Sequence, residues 1–364
     1  MKRHLFPLAA LLCGGAFAQS GVTVYGVMDV GYTRASADTA DWSGITSGRN
    51  ASSRIGFRGT EDLGGGQRAT FTLEADIGAD SGAGVATPLP GFSSTDNKTG
   101  AAGGSLQFNR VATVGLAGGW GELTLGRNYT PTFLLDFAYD PFLQNGVGLN
   151  LITGTSLFYS GAGSVNHLRA SNLVSYTSPR LGGLQAVLAY APSETASNLP
   201  KEGGHTGLKL GYAAGPLQAD VAWARTKNAA SGDIKTTGFG AAYDFGVVRP
   251  MLEISEDQLG AAAANGRKKG WLLGATAPMG NVQWRVSYAR VKRTADATPD
   301  AKVSQFALGA VYNLSKRTAI YVTFAQIRND NYRNTAAGGY SVGSATSTVN
   351  GKVTAQDIGI RHLF

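Results

Sequence analysis

The residues best suited to act on small ions lie between 51 and 76, where three arginines occur among four carboxylates. Read with the two-residue period of a β-strand, Arg54 and Arg58 oppose the apolar residues, and Arg68 does so after the turn at 63–66. Guanidinium groups stay charged and attract anions, which favours ion passage over covalent catalysis. The apolar face would meet a second sheet in a soluble sandwich, and lipid in an outer-membrane barrel whose charged face lines a watery lumen.

The other residues that could do covalent or metal chemistry do not form a recognisable set. Residues 339–343 match the G-x-S-x-G hydrolase pattern, but a polar loop without a following helix lacks the geometry of a nucleophile elbow. The histidines are too scattered for a metal cluster or a triad, at His4, His167, His205 and His362. The sequence therefore predicts a protein that is not an enzyme and binds no cofactor or metal.

The N-terminal residues have the pattern of a secretory signal. Lys2 and Arg3 precede a short apolar stretch and a small-residue cleavage site, which divides the chain into a signal peptide at 1–18 and one domain at 19–364. The only cysteine, Cys13, lies in that signal, so the exported domain would carry no disulfide. Cleavage of the signal would remove Lys2 and Arg3 and so lower the formal charge of +8 by two. The remaining excess is dispersed, which argues against nucleic-acid binding and favours a cavity that accepts anions.

Alternating apolar and polar residues, together with 51 glycines, indicate a curved antiparallel sheet. No segment after the signal provides about eighteen consecutive apolar residues, so an exported chain of this kind can cross a membrane only as a closed barrel. About sixteen alternating segments can be counted, enough for an aqueous channel, and short turns alternate with long polar connections. The connections predicted to be long are 35–50, 78–104, 128–167, 192–204, 257–269, 293–301 and 329–353.

The last segment alternates in the same way and ends on an aromatic residue. Ile358, Ile360, His362 and Phe364 share one face. Aromatic residues near strand ends form the girdles that mark both interfaces of a membrane barrel. We therefore expect Phe364 to lie at one interface.

Several motifs, in order along nearly the whole exported chain, carry a family resemblance. They lie at 22–27, 52–66, 108–116, 125–129, 169–176, 313–318 and 359–364. With these motifs the sequence resembles the trimeric general porins of Gram-negative bacteria, in particular their betaproteobacterial branch. The resemblance implies an all-β fold, a 16-stranded antiparallel transmembrane β-barrel of the outer membrane, with a third external loop folded into the lumen.

The resemblance also implies a pore constriction in which arginines on the barrel wall face carboxylates on the inserted loop. Carried over by motif, the wall arginines are Arg54, Arg110 and Arg169. The best loop carboxylates are Asp136 and Asp140, the only two acids between 129 and 167. Several arginines against two carboxylates would leave the constriction with net positive charge.

Three further assignments rest on weaker patterns. Strand parity adds Arg58 and Arg68 to the basic wall, although each could instead form a salt bridge with a neighbouring carboxylate. Asp136 could cap a short helix in the loop. Phe364 resembles the assembly signal of such barrels.

Together these features predict an outer-membrane general diffusion porin that passes small hydrophilic solutes and prefers inorganic anions. The expected partners are outer-membrane lipid, the assembly machinery of that membrane and two further copies in a homotrimer, with no nucleic acid. A substrate-specific channel on the same barrel is the alternative, because aromatic residues occur in the inserted loop at Phe133, Phe137, Tyr139 and Phe142.

Overall fold

The computed structural model describes residues 21–84, 106–155, 168–193, 203–228, 232–260, 266–295, 298–331 and 350–364. Its strands are β1 (Val22–Ala37), β2 (Asp41–Ser47), β3 (Arg54–Gly64), β4 (Gln67–Gly78), β5 (Ala83–Gly84), β6 (Val111–Gly118), β7 (Gly121–Tyr129), β8 (Arg169–Thr177), β9 (Leu184–Ala191), β10 (His205–Ala214), β11 (Leu217–Thr226), β12 (Ile234–Tyr243), β13 (Arg249–Leu259), β14 (Arg267–Met279), β15 (Val282–Ala295), β16 (Thr298–Asn313), β17 (Thr318–Asp330) and β18 (Lys352–Leu363). Two short helices follow β7, namely α1 (Pro131–Ala138) and α2 (Leu151–Gly154). The predicted signal peptide at 1–18 lies outside the described residues.

The strands form one closed antiparallel barrel. Each barrel strand pairs with its sequence neighbour, and β1 closes the ring by pairing with β18. Strands β2 and β3 pair with successive parts of β1 and together make one barrel strand, interrupted at 48–53, while β5 pairs only with β4. The barrel therefore has sixteen strands, which confirms the predicted fold class.

Alternation along each strand separates an apolar outer surface from a polar interior. On β11, Leu217, Val221 and Trp223 are exposed on the outside, whereas Asp220 and Ala222 are buried inside. The same division holds around the ring, and an exposed apolar band of this extent is typical of a surface that contacts lipid. Among the described residues, no helix is long and apolar enough to cross a membrane.

The strands at the long-loop end reach further than the sequence predicts. Strand β1 continues to Ala37 and β2 begins at Asp41, so most of the predicted connection at 35–50 is strand. Much of 257–269 and 293–301 is also strand. Several outward-facing residues in these extensions are polar, such as Arg34, Ser43 and Lys269, although Ile45 is apolar. The hydrophobic alternation that identifies a membrane strand is therefore weaker here than in the rest of the strand.

The third external connection folds into the lumen, as predicted. Its described part, residues 130–155, is called the inner loop below. Side-chain hydrogen bonds fix it to the interior of β11, β13 and β14: Tyr139 Oη donates to Asp220 (2.5 Å), Asn150 Nδ2 donates to Glu253 (2.7 Å), and Lys268 Nζ donates to the Ile152 carbonyl (2.9 Å). Two further bonds, Gln305 Nε2 to the Leu149 carbonyl (2.9 Å) and Val147 N–H to Asp357 (2.8 Å), extend the attachment to β16 and β18.

Glycines on the inner wall make room for this loop. A side chain at Gly240 would begin 2.1 Å from the Tyr139 ring, and one at Gly274 would begin 2.5 Å from Pro141. We call the six wall glycines that the inner loop covers the glycine track: Gly207, Gly238, Gly240, Gly270, Gly274 and Gly309. Part of the glycine excess in the sequence therefore allows close packing of loop against wall.

The last residue closes the barrel seam at the short-turn end. The main chain of Phe364 exchanges two hydrogen bonds with Gly26, at 3.0 and 3.2 Å. Its ring covers Gly26, where an added Cβ would lie 2.2 Å from Cζ. Phe364 remains half exposed on the outer surface. Its place at a membrane interface stays a prediction.

Candidate functional site

Five arginines line the side of the barrel that the inner loop does not cover. We call them the arginine wall: Arg54, Arg58, Arg110, Arg127 and Arg169. Arg54 and Arg58 lie on β3, Arg110 directly precedes β6, Arg127 lies on β7 and Arg169 begins β8. In the barrel β4 separates β3 from β6, and β6, β7 and β8 are adjacent. Strand pairing places Arg54, Arg110, Arg127 and Arg169 at a similar height along the barrel axis. Arg54 pairs with Asp76, the partner of Arg110, while Arg127 pairs with Ala112 and Arg169 with Tyr129.

Two carboxylates on β4 bind the first part of this wall. Arg110 forms short ion pairs with Glu74 (2.5 Å) and Asp76 (2.6 Å). Arg54 approaches the other oxygen of Glu74 at 3.3 Å and remains 27% exposed. Tyr25 Oη donates to the same carboxylate at 3.0 Å. Glu74 and Asp76 therefore compensate Arg54 and Arg110 locally.

The second part of the wall forms no ion pair of this kind within the part of the chain that the structure describes. Arg110 and Arg169 both donate to Tyr129 Oη, at 3.0 and 3.1 Å, and the Arg169 guanidinium lies 4.6 Å from the centre of the Tyr129 ring. Arg127 donates to the Asn109 carbonyl at 2.6 Å. Among the described residues, no carboxylate lies within ion-pair distance of Arg127 or Arg169, and each keeps one buried N–H group without an acceptor.

The sequence does not identify Arg127, because strict alternation places it on the outer face with Leu125. In the structure the pairing of β7 with β8 shifts register between Gly126 and Asn128, and Gly126 has φ of +128°. This bulge turns the Arg127 side chain to the side of Arg169, and only 6% of the residue is exposed. The one signal in the sequence is the glycine inside the strand, which indicates a possible bulge.

Arg58 and Arg68 lie closer to the short turns than the other arginines. Arg58 pairs with Thr72, four residues from Arg54 along β3, and its guanidinium lies 5.1 Å from the Tyr25 ring centre. It lines a cavity of about 390 Å³ whose wall also includes Leu134 of the inner loop. Arg68 is exposed and lies six residues from Glu74 on β4, so the structure does not bring it into contact with the cluster.

Asp136 and Asp140 lie behind the inner loop, on the side that faces the glycine track. Both are almost fully buried. Asp136 accepts a hydrogen bond from Thr153 Oγ1 at 3.1 Å, and Asp140 accepts three backbone N–H groups, from Phe142, Gln144 and Asn150. Within the part of the chain that the structure describes, no ion pair joins either carboxylate to the arginine wall, and their hydrogen bonds organise the loop from its rear.

The face that the inner loop turns towards the arginines is apolar. Phe133 stacks on Tyr129 with ring centres 5.4 Å apart, and Phe137 lies next to Phe133 and is 43% exposed. Leu134 lines the cavity that contains Arg58. The passage therefore runs between a cationic wall and an aromatic loop surface.

The position of Asp140 gives the loop a pH dependence. Complete burial raises the pKa of this carboxyl group to about 6, above the 3.8 of an unperturbed aspartate, although its three backbone donors oppose the shift. The folded protein therefore binds this proton more tightly than the unfolded chain. The resulting stabilisation is complete below about pH 4 and is lost as the pH rises through 6.

We expect the free energy of unfolding to gain about 1 kcal/mol from Asp140 when the pH falls from 7 to 5. Denaturant titrations in detergent at the two pH values measure this difference, and Asp140→Asn should remove it. The exposed turn residue Asp62 gives the control, since Asp62→Asn should leave the difference unchanged. An equal pH response in wild type and Asp140→Asn would contradict the assignment.

A closed sixteen-stranded barrel with an apolar outside, a charged inside and a loop folded into its lumen defines a membrane channel. The family model described as Gram-negative porin matches residues 7–332. The chain belongs to this family, and it is a porin of the outer membrane.

Two relatives and one solved structure show how close the similarity is. Outer membrane porin protein 32 of Delftia acidovorans is 34% identical over the whole of both chains, and an outer membrane porin protein of Bordetella pertussis is 30% identical over the whole of both. The structure described as the anion-selective porin from Comamonas acidovorans superposes with a TM-score of 0.82 at 31% identity, covering 95% of this chain and all of the other. These similarities agree with the predicted betaproteobacterial branch.

Proposed function

We propose that this general diffusion porin prefers anions, and that the arginine wall is the basic side of its constriction. One observation carries the proposal: five arginines lie on the inner wall of the barrel with two carboxylates among them, while the loop carboxylates lie behind the inner loop. The similar porin from Comamonas acidovorans is described as anion-selective, which supports the same preference here.

The physical basis is a fixed positive potential in a narrow passage. Barrel walls of low dielectric constant confine the field of Arg127 and Arg169, which have no carboxylate partner among the described residues. Anions are concentrated there and cations are repelled, without any covalent step. Arg54, which is partly exposed, offers the passing ion a direct contact.

Planar-bilayer recordings test this proposal. Detergent-extracted protein under a KCl gradient should give stepwise conductance and a reversal potential with the sign of chloride selectivity. A reversal potential of the opposite sign would show that the wall is more fully compensated than the described residues indicate, and would contradict the proposal.

A substrate-specific channel is the second candidate, and the aromatic loop surface favours it. Of the four aromatics predicted for this role, Phe133 stacks on Tyr129 and Phe137 lies next to Phe133, whereas Tyr139 and Phe142 pack against the glycine track. A planar anion could stack on Phe137 while it contacts the arginines. Saturable block of chloride current by benzoate, but not by acetate, would favour this candidate.

The proposal includes assembly. We expect a homotrimer that passes small hydrophilic solutes, and we propose that Phe364, at the barrel seam, is read by the assembly machinery. The ring is accessible on the outer surface at the short-turn end, which is where such a signal must be recognised.

A further inference from the structure

A row of basic side chains crosses the outer surface of the barrel at the long-loop end. In the register of β14 to β18, Trp271 pairs with Arg290, Arg290 with Ser304, Ser304 with Arg328 and Arg328 with Lys352. Arg290, Arg328 and Lys352 are exposed, and the neighbouring residues along each strand are buried inside. We call these three cations the external basic row.

The external basic row lies directly above the apolar band. Two residues nearer the short turns, the same outer face carries Leu273, Tyr288 and Phe306, which pair across β14, β15 and β16. Two residues of strand correspond to about 7 Å. Trp271 and Tyr288, with ring centres 5.6 Å apart, mark the edge of the band, where aromatic residues meet lipid headgroups.

No side chain of this row forms an ion pair among the described residues, although the main-chain N–H of Lys352 donates to the Asp38 carboxylate at 3.0 Å. Arg328 donates to Gln326, and within the described part of the chain neither Arg290 nor the Lys352 ammonium has an ion pair or hydrogen bond. Arg328 and Lys352 are direct partners on adjacent strands, and like charges in that position repel each other. The arrangement is unfavourable unless an anion lies between them.

A second row of cations, two residues further from the membrane along the strands, differs from the external basic row in having carboxylate partners. Lys269, Lys292 and Lys302 also pair across β14, β15 and β16, but each has a carboxylate within 4 Å. The partners are Glu256 (3.5 Å), Asp300 (2.6 Å) and Asp330 (3.7 Å). The lysines further from the membrane are thus neutralised by the protein, and the cations nearest the membrane are not.

We propose that the external basic row binds the phosphate groups of lipid headgroups in the external leaflet. Arginine forms bidentate hydrogen bonds with phosphate, and a phosphate between Arg328 and Lys352 would remove their repulsion. Adjacent strands are about 5 Å apart, so Arg290 and Lys352 are separated by about 15 Å, a span that suits a headgroup carrying two phosphates. The acyl chains of the same lipid would lie along Tyr288 and Phe306.

Titration of the detergent-solubilised channel with lipid A, a glycolipid with two phosphates, tests this site. The unfolding midpoint should rise with lipid concentration, since a ligand that binds the folded state stabilises it. The triple variant Arg290→Gln, Arg328→Gln, Lys352→Gln should bind roughly 100-fold more weakly, as expected for three lost contacts between membrane phosphates and basic residues. Lipid A without its phosphates should give no comparable shift with either protein.

Three exposed cations at the opposite end of the barrel provide a matched control. The variant Arg180→Gln, Lys316→Gln, Arg317→Gln removes the same charge from the short turns and should bind lipid A like wild type. Unchanged affinity in the external-row variant would overturn the proposal. So would an equal shift with inorganic phosphate, which would indicate a site for free anions. A loss of the oligomer in size-exclusion chromatography would also overturn it, because the row would then be a subunit contact.

Discussion

Replacing both Arg127 and Arg169 by glutamate is expected to change the preference of the channel from anions to cations. Neither arginine forms an ion pair among the described residues, so no contacting carboxylate offsets its charge. At about 6 Å from a passing ion, reversing one charge changes the interaction by about 1.4 kcal/mol even at the dielectric constant of water, which is about tenfold in relative permeability. The reversal potential in a KCl gradient should therefore change sign.

Two further variants separate the charge effect from damage to the fold. Arg127→Gln with Arg169→Gln removes the charges without reversing them, and its reversal potential should lie between those of wild type and the glutamate variant. Arg180→Glu with Arg317→Glu places the same charge change on exposed short turns and should have little effect. A folded Arg127→Glu, Arg169→Glu channel with the wild-type reversal potential would show that the arginine wall does not set selectivity.

The second large effect is expected at Gly240, where the wall touches the inner loop most closely. In Gly240→Leu the new side chain would occupy the space of the Tyr139 ring, which approaches an added Cβ at 2.1 Å. The ring must move, and its hydrogen bond to Asp220 would break. We expect a loss of about 1 to 3 kcal/mol in the free energy of unfolding, as for other overpacked cores, and a larger single-channel conductance because the loop leaves the wall.

Single-channel recording and thermal unfolding in detergent measure these two changes together. The control is Gly119→Leu, in a short turn where an added Cβ meets nothing within 4 Å. Its conductance and unfolding midpoint should match those of wild type. If Gly240→Leu also kept both properties, contact with the glycine track would not hold the inner loop in place.

The sequence predicts the barrel because each membrane-spanning strand segment separates two solvents. On β1, Val24 and Met28 face outward and Asp29 is buried inside, as the two-residue period requires. The prediction fails at Asp41–Ser47, because the outer face there includes the polar Asp41 and Ser43 while Trp42 packs against the interior, so the hydrophobic contrast between the two faces is mixed. Strand number follows from the pattern, but strand length does not.

The candidate site is only partly predictable for a different reason. Arg54, Arg110 and Arg169 come from motifs, whereas Arg127 depends on a bulge that one glycine permits. The family motif does not show that Asp136 and Asp140 lie behind the inner loop, because the loop path is set by spaces that the glycine track leaves on distant strands. Such contacts join residues more than a hundred positions apart, as Gln305 and Leu149 do.

The attachment of the inner loop along β11 to β18 has a consequence for transport. Between Thr130 and Thr155 the loop is held at intervals by wall side chains, among them Tyr139 to Asp220 and Lys268 to Ile152. A segment fixed at so many points does not swing aside when a molecule arrives. We therefore expect the passage to act as a rigid sieve, in which size exclusion follows from a fixed opening and the flux of a neutral solute follows from its concentration difference.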